Sequence, residues 1–209
     1  MSRTGLRRVA ALPAFLIALA LAGPPLAAAG DAVPIGPAGR ATAAQAEAPT
    51  PQRDVEAELL GLRLLNCTRT GGWVRADGTC RGRATGTYSP YLRPLRLNEG
   101  ISSFVAFGWA SELVEAQVCG HVLPGLPELP MRLASAGYDA PSFGENVGCS
   151  WSSLSTRQVV IGAHREMQAE KSYDGGHWRN MKNPAWRSVG IGVATLEGRT
   201  IIVFDFYGR

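Results

Sequence analysis

The C-terminal end of the chain constrains the fold most strongly. Two apolar runs, SVGIGVAT and TIIVFDFY, occupy residues 188–195 and 200–207. Between them, Leu196-Glu197-Gly198-Arg199 predicts a hairpin turn. Both runs are apolar on their two faces, and strands of this kind need a covering layer on each side. The sequence therefore predicts a small antiparallel sheet with helices on both faces, an α+β fold in layers.

Segments with helical periodicity precede the hairpin and can supply those layers. Asp54 is a candidate N-cap for the first helix, which we expect to end near Asn66. Residues 71–96 then form a long loop, and residues 146–151 a short strand. The apolar positions of the first helix recur at helical spacing: Val55, Leu59, Leu62 and Leu65. Further helices are predicted at 102–118, 131–136 and 157–171.

The N-terminal segment is predicted to lie outside this fold. Residues 1–29 carry three arginines, then an apolar run that is too short for a membrane span of about 20 residues, and then small residues. That order predicts a secretory signal peptide. Residues 30–53 are rich in Ala and Pro, which indicates a linker. We therefore expect a secreted protein with one domain at 54–209 and no membrane span after signal cleavage.

The net charge argues against a nucleic-acid partner. The chain carries +4, but three of these charges are the arginines of residues 1–29, which contain no acidic residue. The remainder is therefore near +1. Nucleic-acid-binding domains are normally strongly basic. We expect no nucleic-acid partner.

Four cysteines in an exported protein most simply form two disulfides, and three pairings are possible. We prefer Cys67–Cys80, which closes a Gly-rich loop, and Cys119–Cys149. The rival interpretation is a cysteine metal site, but the chain has no CxxC pair.

Two of the three histidines stand in motifs that suggest chemistry. The motifs are Cys119-Gly120-His121, Gly144-Glu145-Asn146 and Gly175-Gly176-His177. Imidazole and carboxylate groups bind divalent metals or move protons. The third histidine, His164, is predicted to lie within a helix, where we expect it to face solvent or the edge of the core.

In this order, the motifs resemble those of the CAP (SCP-like) superfamily. This superfamily includes cysteine-rich secretory proteins, venom antigen 5, plant pathogenesis-related proteins and secreted bacterial proteins. The resemblance extends from Asp54 to Tyr207, and the GEN and GHxxN signatures make it specific. Its motifs in this chain are RLASAGY at 132–138, GENVG at 144–148, GHWRN at 176–180 and VGIGVA at 189–194.

The resemblance implies an α-β-α sandwich with a shallow cleft that holds two histidines and two acids. His121, Glu145 and His177 match the family pattern position by position. The second acid is Glu170, three residues after Met167, with Glu166 as the alternative, and many bacterial members lack it. These side chains suit zinc or a similar divalent ion. Glu145 has an alternative role in a turn, where it would accept backbone N–H bonds and orient a loop.

Several functions remain open from the sequence. We prefer a secreted binding module with a metal-binding cleft and an extracellular ligand, which can be a lipid, a peptide or a cell-wall component. The alternative is a metal-dependent hydrolase on peptide or cell-wall substrates, with Glu145 as general base. A structural envelope protein is the third candidate. No GxSxG motif supports a serine hydrolase, and no catalytic residue is assigned.

Overall fold

The computed structural model describes residues 48–82, 92–139 and 142–208, which belong to one compact unit. The predicted signal peptide and residues 30–47 of the predicted linker lie outside the described residues. Gln52 and Arg53, which the sequence assigned to the linker, instead pair with the sheet. Arg53 also forms two 2.8 Å bonds to the carboxylate of Glu58. The linker prediction was therefore too long, because polar residues at a sheet edge pair through their main chain.

Helices and strands follow one another closely along the chain. The strand Ser142–Ser150 begins four residues before the predicted strand, so Glu145 lies in a strand and not in a turn. The bounds are β1 Gln52–Arg53, α1 Val55–Arg69, β2 Trp73–Val74, β3 Cys80–Arg81, β4 Arg96–Leu97, α2 Glu99–Ile101, a π-helical segment Ser102–Ala106, α3 Phe107–Ala116, α4 Leu129–Ser135, β5 Ser142–Ser150, α5 Thr156–Ala169, a 3₁₀ turn Glu170–Tyr173, α6 Gly176–Lys182, β6 Ser188–Leu196 and β7 Arg199–Gly208.

The predicted hairpin is the centre of the sheet. Strands β6 and β7 pair antiparallel from Ser188 opposite Tyr207 to Leu196 opposite Arg199. Glu197 and Gly198 have φ angles of 49° and 78°, which suits a two-residue hairpin turn. Among the described residues, the main sheet has the order β1-β6-β7-β5, and β4 pairs parallel with β6. Strand β5 therefore lies at one edge of the sheet.

Helices cover both faces of this sheet, as the apolar runs predicted. Ile202, Phe204 and Phe206 of β7 pack in one cluster with residues of α1, α5 and α6. Ile201 and Val203 of the same strand pack in a second cluster with α3. Alternate side chains of a strand point to opposite faces, so β7 contributes to both cores. The architecture is an α-β-α sandwich, and the predicted α+β fold class is confirmed.

Two glycines of β6 allow close approach of the helical layer. A Cβ atom at Gly190 would lie 2.3 Å from Ile101 Cγ2, and one at Gly192 would lie 2.2 Å from the main-chain N of Phe107. The π-helical segment therefore packs against bare backbone. This close approach explains why glycines alternate with the β-branched residues of the VGIGV segment in β6.

Helix α1 forms as predicted, but it buries only part of the predicted face. Asp54 caps it, with its side chain accepting a 2.9 Å bond from the N–H of Ala57. Val55 and Leu59 are 52% and 41% exposed, whereas Leu60 and Leu64 are buried. Of the predicted apolar stripe, Leu65 is buried and Leu62 packs against the core, whereas Val55 and Leu59 are exposed. The stripe was therefore wrong in its N-terminal half, because leucines lie on more than one side of this helix and its contact with the sheet decides which are buried.

Both predicted disulfides are present, Cys67–Cys80 and Cys119–Cys149. The first joins the C-terminal part of α1 to β3. The second joins the segment after α3 to β5. In the part of the chain that the structure describes, no helix is long and apolar enough to cross a membrane.

Candidate functional site

His121 forms a hydrogen-bonded pair with Glu145. The Nδ1 atom of His121 lies 2.8 Å from Oε1 of Glu145, and Arg132 of α4 donates to the other carboxylate oxygen. The side chain of Glu145 is 6% exposed and that of His121 is 53% exposed. The hydrogen bond to Glu145 raises the pKa of His121, although partial burial opposes this shift. The pair thus places an anchored imidazole at the surface.

His177 forms a similar pair with Glu170. Its Nδ1 atom lies 2.6 Å from Oε1 of Glu170, while Oε2 accepts bonds from the N–H groups of His177 and Trp178 at 2.8 and 3.3 Å. Burial raises the pKa of Glu170, but the bonds and charge of His177 outweigh it and lower the pKa overall. Glu166, the alternative acid, is exposed. The carboxylate beside His177 is therefore Glu170.

Two asparagines, which the sequence analysis did not single out, join the segments that carry these pairs. Asn146 of β5 donates a 3.1 Å bond to the carbonyl of His177. Asn180 of α6 donates to the carbonyl of Glu145 at 3.0 Å and to Oδ1 of Asn146 at 2.8 Å. Helix α6 is therefore fixed against β5 by side-chain amides. The Asn at the end of GEN and the Asn at the end of GHxxN were the signal for this contact.

The four residues form two pairs. Among the described residues, no three His, Cys, Asp or Glu side chains lie together in a group that could hold a metal ion. Successive strand residues point to opposite faces, so Glu145 points away from the side on which Asn146 contacts α6. The predicted residues are thus brought to neighbouring elements, with each histidine beside its own acid.

A buried acid, Asp205 of β7, lies next to this site and was missed by the sequence analysis. It is directly opposite Glu145 in the sheet and is fully buried. Its two carboxyl oxygens accept no hydrogen bond from the described residues. Burial and the negative charge of Glu145 raise the pKa of Asp205 well above its ordinary value, although Arg132 opposes the shift.

The imidazole nitrogens of this site are better placed to bind a metal ion than the carboxylate oxygens are. A carboxylate only accepts hydrogen bonds, so each Nδ1 carries a proton and each Nε2 has a lone pair available to a metal. Within the described ranges, neither Nε2 has a hydrogen-bond partner. Both oxygens of Glu145 and of Glu170 are already bonded. The acids therefore orient the histidines.

His164 belongs to the core. It is 0% exposed, and its Nε2 atom lies 2.8 Å from Oγ1 of Thr68 in α1. Burial lowers the pKa of His164 to about 4. The prediction of a solvent-facing or core-edge position was wrong, because the α1–α5 contact covers this side of the helix.

Comparison with known proteins shows that this chain is similar in structure to two solved proteins. No protein-family model and no curated protein matches the chain. It is similar to an extracellular protein containing an SCP domain from Bacillus anthracis str. Ames, with 17% identity, a TM-score of 0.46, and coverage of 56% of this chain and 34% of that chain. The chain thus spans 34% of the length of that protein.

The chain is also similar to NaASP2, a CAP family protein whose crystal structure was determined with Zn²⁺. The identity is 14%, the TM-score is 0.51, and the match covers 74% of this chain and 80% of that chain. Identity at this level shows the fold alone. Together with the GEN and GHxxN motifs in their expected order, it shows that this chain has the α-β-α fold of the CAP (SCP-like) superfamily.

Proposed function

We propose that the protein is a secreted binding module in which His121 and His177 bind a divalent metal ion, with zinc as the expected ion. One observation carries the proposal. Each imidazole bonds through Nδ1 to a largely buried glutamate. Metal-binding histidines usually donate their second ring N–H to a carboxylate or carbonyl, which fixes the tautomer and the ring orientation. The presence of Zn²⁺ in the NaASP2 structure supports the same choice of metal.

The residues around the two histidines have distinct roles in this proposal. His121 and His177 would each offer Nε2 to the metal. Glu145 and Glu170 keep Nδ1 protonated and the rings oriented, and Arg132 balances the buried charge of Glu145. A bound zinc with few protein ligands supplies a Lewis acid that can take a ligand oxygen at its remaining positions.

We favour binding over the alternative of metal-dependent hydrolysis. A general base needs a carboxylate oxygen that can reach water. The two oxygens of Glu145 are bonded to His121 and Arg132. A cavity of about 350 Å³ adjoins His121 and Glu145, with Val122, Leu129 and Phe143 in its lining. Its apolar wall suits the ligand of a binding module, whether a lipid, a peptide or a cell-wall component.

Secretion is part of the proposal. The predicted signal peptide directs export, and disulfides persist in oxidising compartments. The pairs Cys119–Cys149 and Cys67–Cys80 are consistent with such a compartment.

Calorimetric titration of the purified protein with zinc chloride tests the metal. We expect His121→Ala and His177→Ala each to weaken zinc binding by about tenfold or more, the effect of losing one strong ligand. If one ion is shared, the wild type binds one zinc, and either substitution removes it. If each histidine binds separately, each substitution removes only one of two bound ions.

Glu166→Gln is the matched control, since this acid is exposed on α5. It should leave zinc binding unchanged. Equal zinc binding by the wild type and a variant that lacks both histidines would refute the metal site. Such a result would leave the fold assignment intact.

A further inference from the structure

A separate cavity of about 620 Å³ lies beside the C-terminal end of α1. We call it the Trp–Lys cavity. None of His121, Glu145, Glu170 and His177 lines it. The chain contains only two lysines and five tryptophans, and both lysines and two of the tryptophans meet here. Its defining residues are Gly72, Trp73, Arg81, Lys171, Trp178 and Lys182.

The lysines and tryptophans form one contact network. The Nζ atom of Lys171 lies 5.9 Å from the ring centroid of Trp73 and 5.6 Å from that of Trp178. The Nζ atom of Lys182 lies 5.4 Å from the ring of Trp178. Trp73 is 41% exposed although it is a large apolar side chain. Cation–π contacts hold the ammonium groups beside aromatic surface that the described residues leave partly exposed.

The wall that carries Trp73 is rigid. The disulfide Cys67–Cys80 ties β3 to α1, and a Cβ atom at Gly72 would lie 2.7 Å from either sulfur. The buried side-chain amide of Gln168, on α5, bonds to both main-chain groups of Val74 on β2. Its Oε1 accepts from the N–H of Val74 at 2.8 Å, and its Nε2 donates to the carbonyl of Val74 at 3.1 Å. A wall fixed in this way loses little conformational entropy when a ligand binds.

The described lining of the cavity is positively charged. It contains no Asp or Glu. The ammonium of Lys182 donates to the carbonyls of Thr68 and Arg69 at 3.1 and 3.0 Å. Burial, with the charges of Arg69 and Lys171, lowers the pKa of Lys182. A second cavity, also about 620 Å³, is lined by the exposed Arg93, Arg96 and Arg187 and by the buried Arg69, whose guanidinium donates to main-chain carbonyls. Like charges that gather without acids favour an anionic ligand.

We infer that the Trp–Lys cavity binds an acidic saccharide. The C–H face of a sugar ring packs on the exposed ring of Trp73, and its carboxylate pairs with Lys171 and Arg81. Ligand sites of this type combine aromatic surface with a few polar groups that set the orientation. The exposed Arg93, Arg96 and Arg187 of the second cavity suit further acidic units of the saccharide. This site goes beyond the proposed function, because it needs neither histidine and no metal.

Titration with trigalacturonic acid, followed by calorimetry and tryptophan fluorescence in physiological salt, tests the inference. We expect binding of the acid and at least about tenfold weaker binding of its trimethyl ester, because the ester keeps the rings and loses the charges. Lys171→Gln and Trp73→Ala should each weaken binding by about tenfold, and Lys171→Arg should retain most of it.

Matched controls lie elsewhere on the surface. Arg165→Gln removes an exposed charge from α5, and Trp151→Ala removes a tryptophan that is 49% exposed. Both should bind trigalacturonic acid as the wild type does. His121→Ala should also keep saccharide binding, which separates this site from the metal proposal. The inference is overturned if trigalacturonic acid does not bind, or if its ester, inorganic phosphate or a single-stranded oligonucleotide binds as tightly. It is equally overturned if the control variants lose as much affinity as Lys171→Gln.

Discussion

At the scale of single residues, both glutamates of the site are occupied by bonds within the protein. Glu145 accepts from His121 and Arg132, and Glu170 accepts from the ring and the main chain of His177. An ionised acceptor makes stronger hydrogen bonds than a neutral one. These carboxylates therefore set the tautomer and direction of the two imidazoles.

Replacement of Glu145 by Gln should lower the pKa of His121. The carboxylate bond raises this pKa, and a neutral amide provides no negative charge to stabilise the imidazolium. NMR titration of the His121 ring protons measures the change. Glu197→Gln is the control, because that acid pairs with Arg199 at the hairpin turn. An unchanged His121 pKa in Glu145→Gln would contradict the assigned pair.

At the scale of elements, the packing of α6 on β5 depends on two amide side chains. Asn146 is 0% exposed, and its Oδ1 accepts from Asn180. Strand β5 is an edge strand with backbone groups open to another partner. Asn180 occupies one of them, the carbonyl of Glu145. The side chain of Asn180 thus makes a bond to β5 that a further strand would otherwise make. This contact holds α6, and with it His177, beside the edge of the sheet.

Asn180→Ala should destabilise the fold by about 1–3 kcal/mol, because it leaves the buried amide of Asn146 and a backbone carbonyl without their donor. Urea unfolding followed by circular dichroism measures the loss. Asn183→Ala, which removes an exposed side-chain bond to the N–H of Ala185, should cost less. An equal loss of unfolding free energy in the two variants would mean that the amide contact does not fix α6.

At the scale of the whole molecule, stability should depend on pH through the core histidine. His164 packs between α1 and α5, and burial holds its folded pKa at about 4, below the ordinary value of 6.5. The unfolded chain binds a proton at a higher pH than the folded chain. The stabilisation is therefore complete above pH 6.5 and is lost as the pH falls through the folded value.

Between pH 7 and pH 4, the free energy of unfolding should fall by on the order of 3 kcal/mol from this group alone. His121 acts in the opposite direction, because its raised pKa favours the folded state at low pH, but its exposure makes the effect small. Chemical denaturation at several pH values measures the trend. His164→Gln should flatten it between pH 6.5 and 4. If the free energy of unfolding of that variant changes with pH as it does in the wild type, the pH dependence belongs to other groups.

The sequence by itself determined the layers of this protein and named the candidate residues of its site. The doubly apolar runs of β6 and β7 required cover on both faces, and the GEN and GHxxN motifs identified Glu145 and His177. These signals are local, because they depend on side-chain periodicity and on short motifs. Export and an even number of cysteines indicated two disulfides, and the preferred pairing among the three possible ones is present.

The tertiary structure alone decided which faces are buried and which groups meet. Helix α1 carries leucines on more than one side, and its packing against the sheet buries Leu60, Leu64 and Leu65 while Leu59 stays exposed. The burial of His164 and the two separate His–Glu pairs likewise depend on contacts between residues far apart in the chain. The Trp–Lys cavity has the same origin, because it joins β2 to residues about 100 positions later. Such contacts leave no local period in the sequence, since their energy comes from surfaces that meet only after the layers have packed.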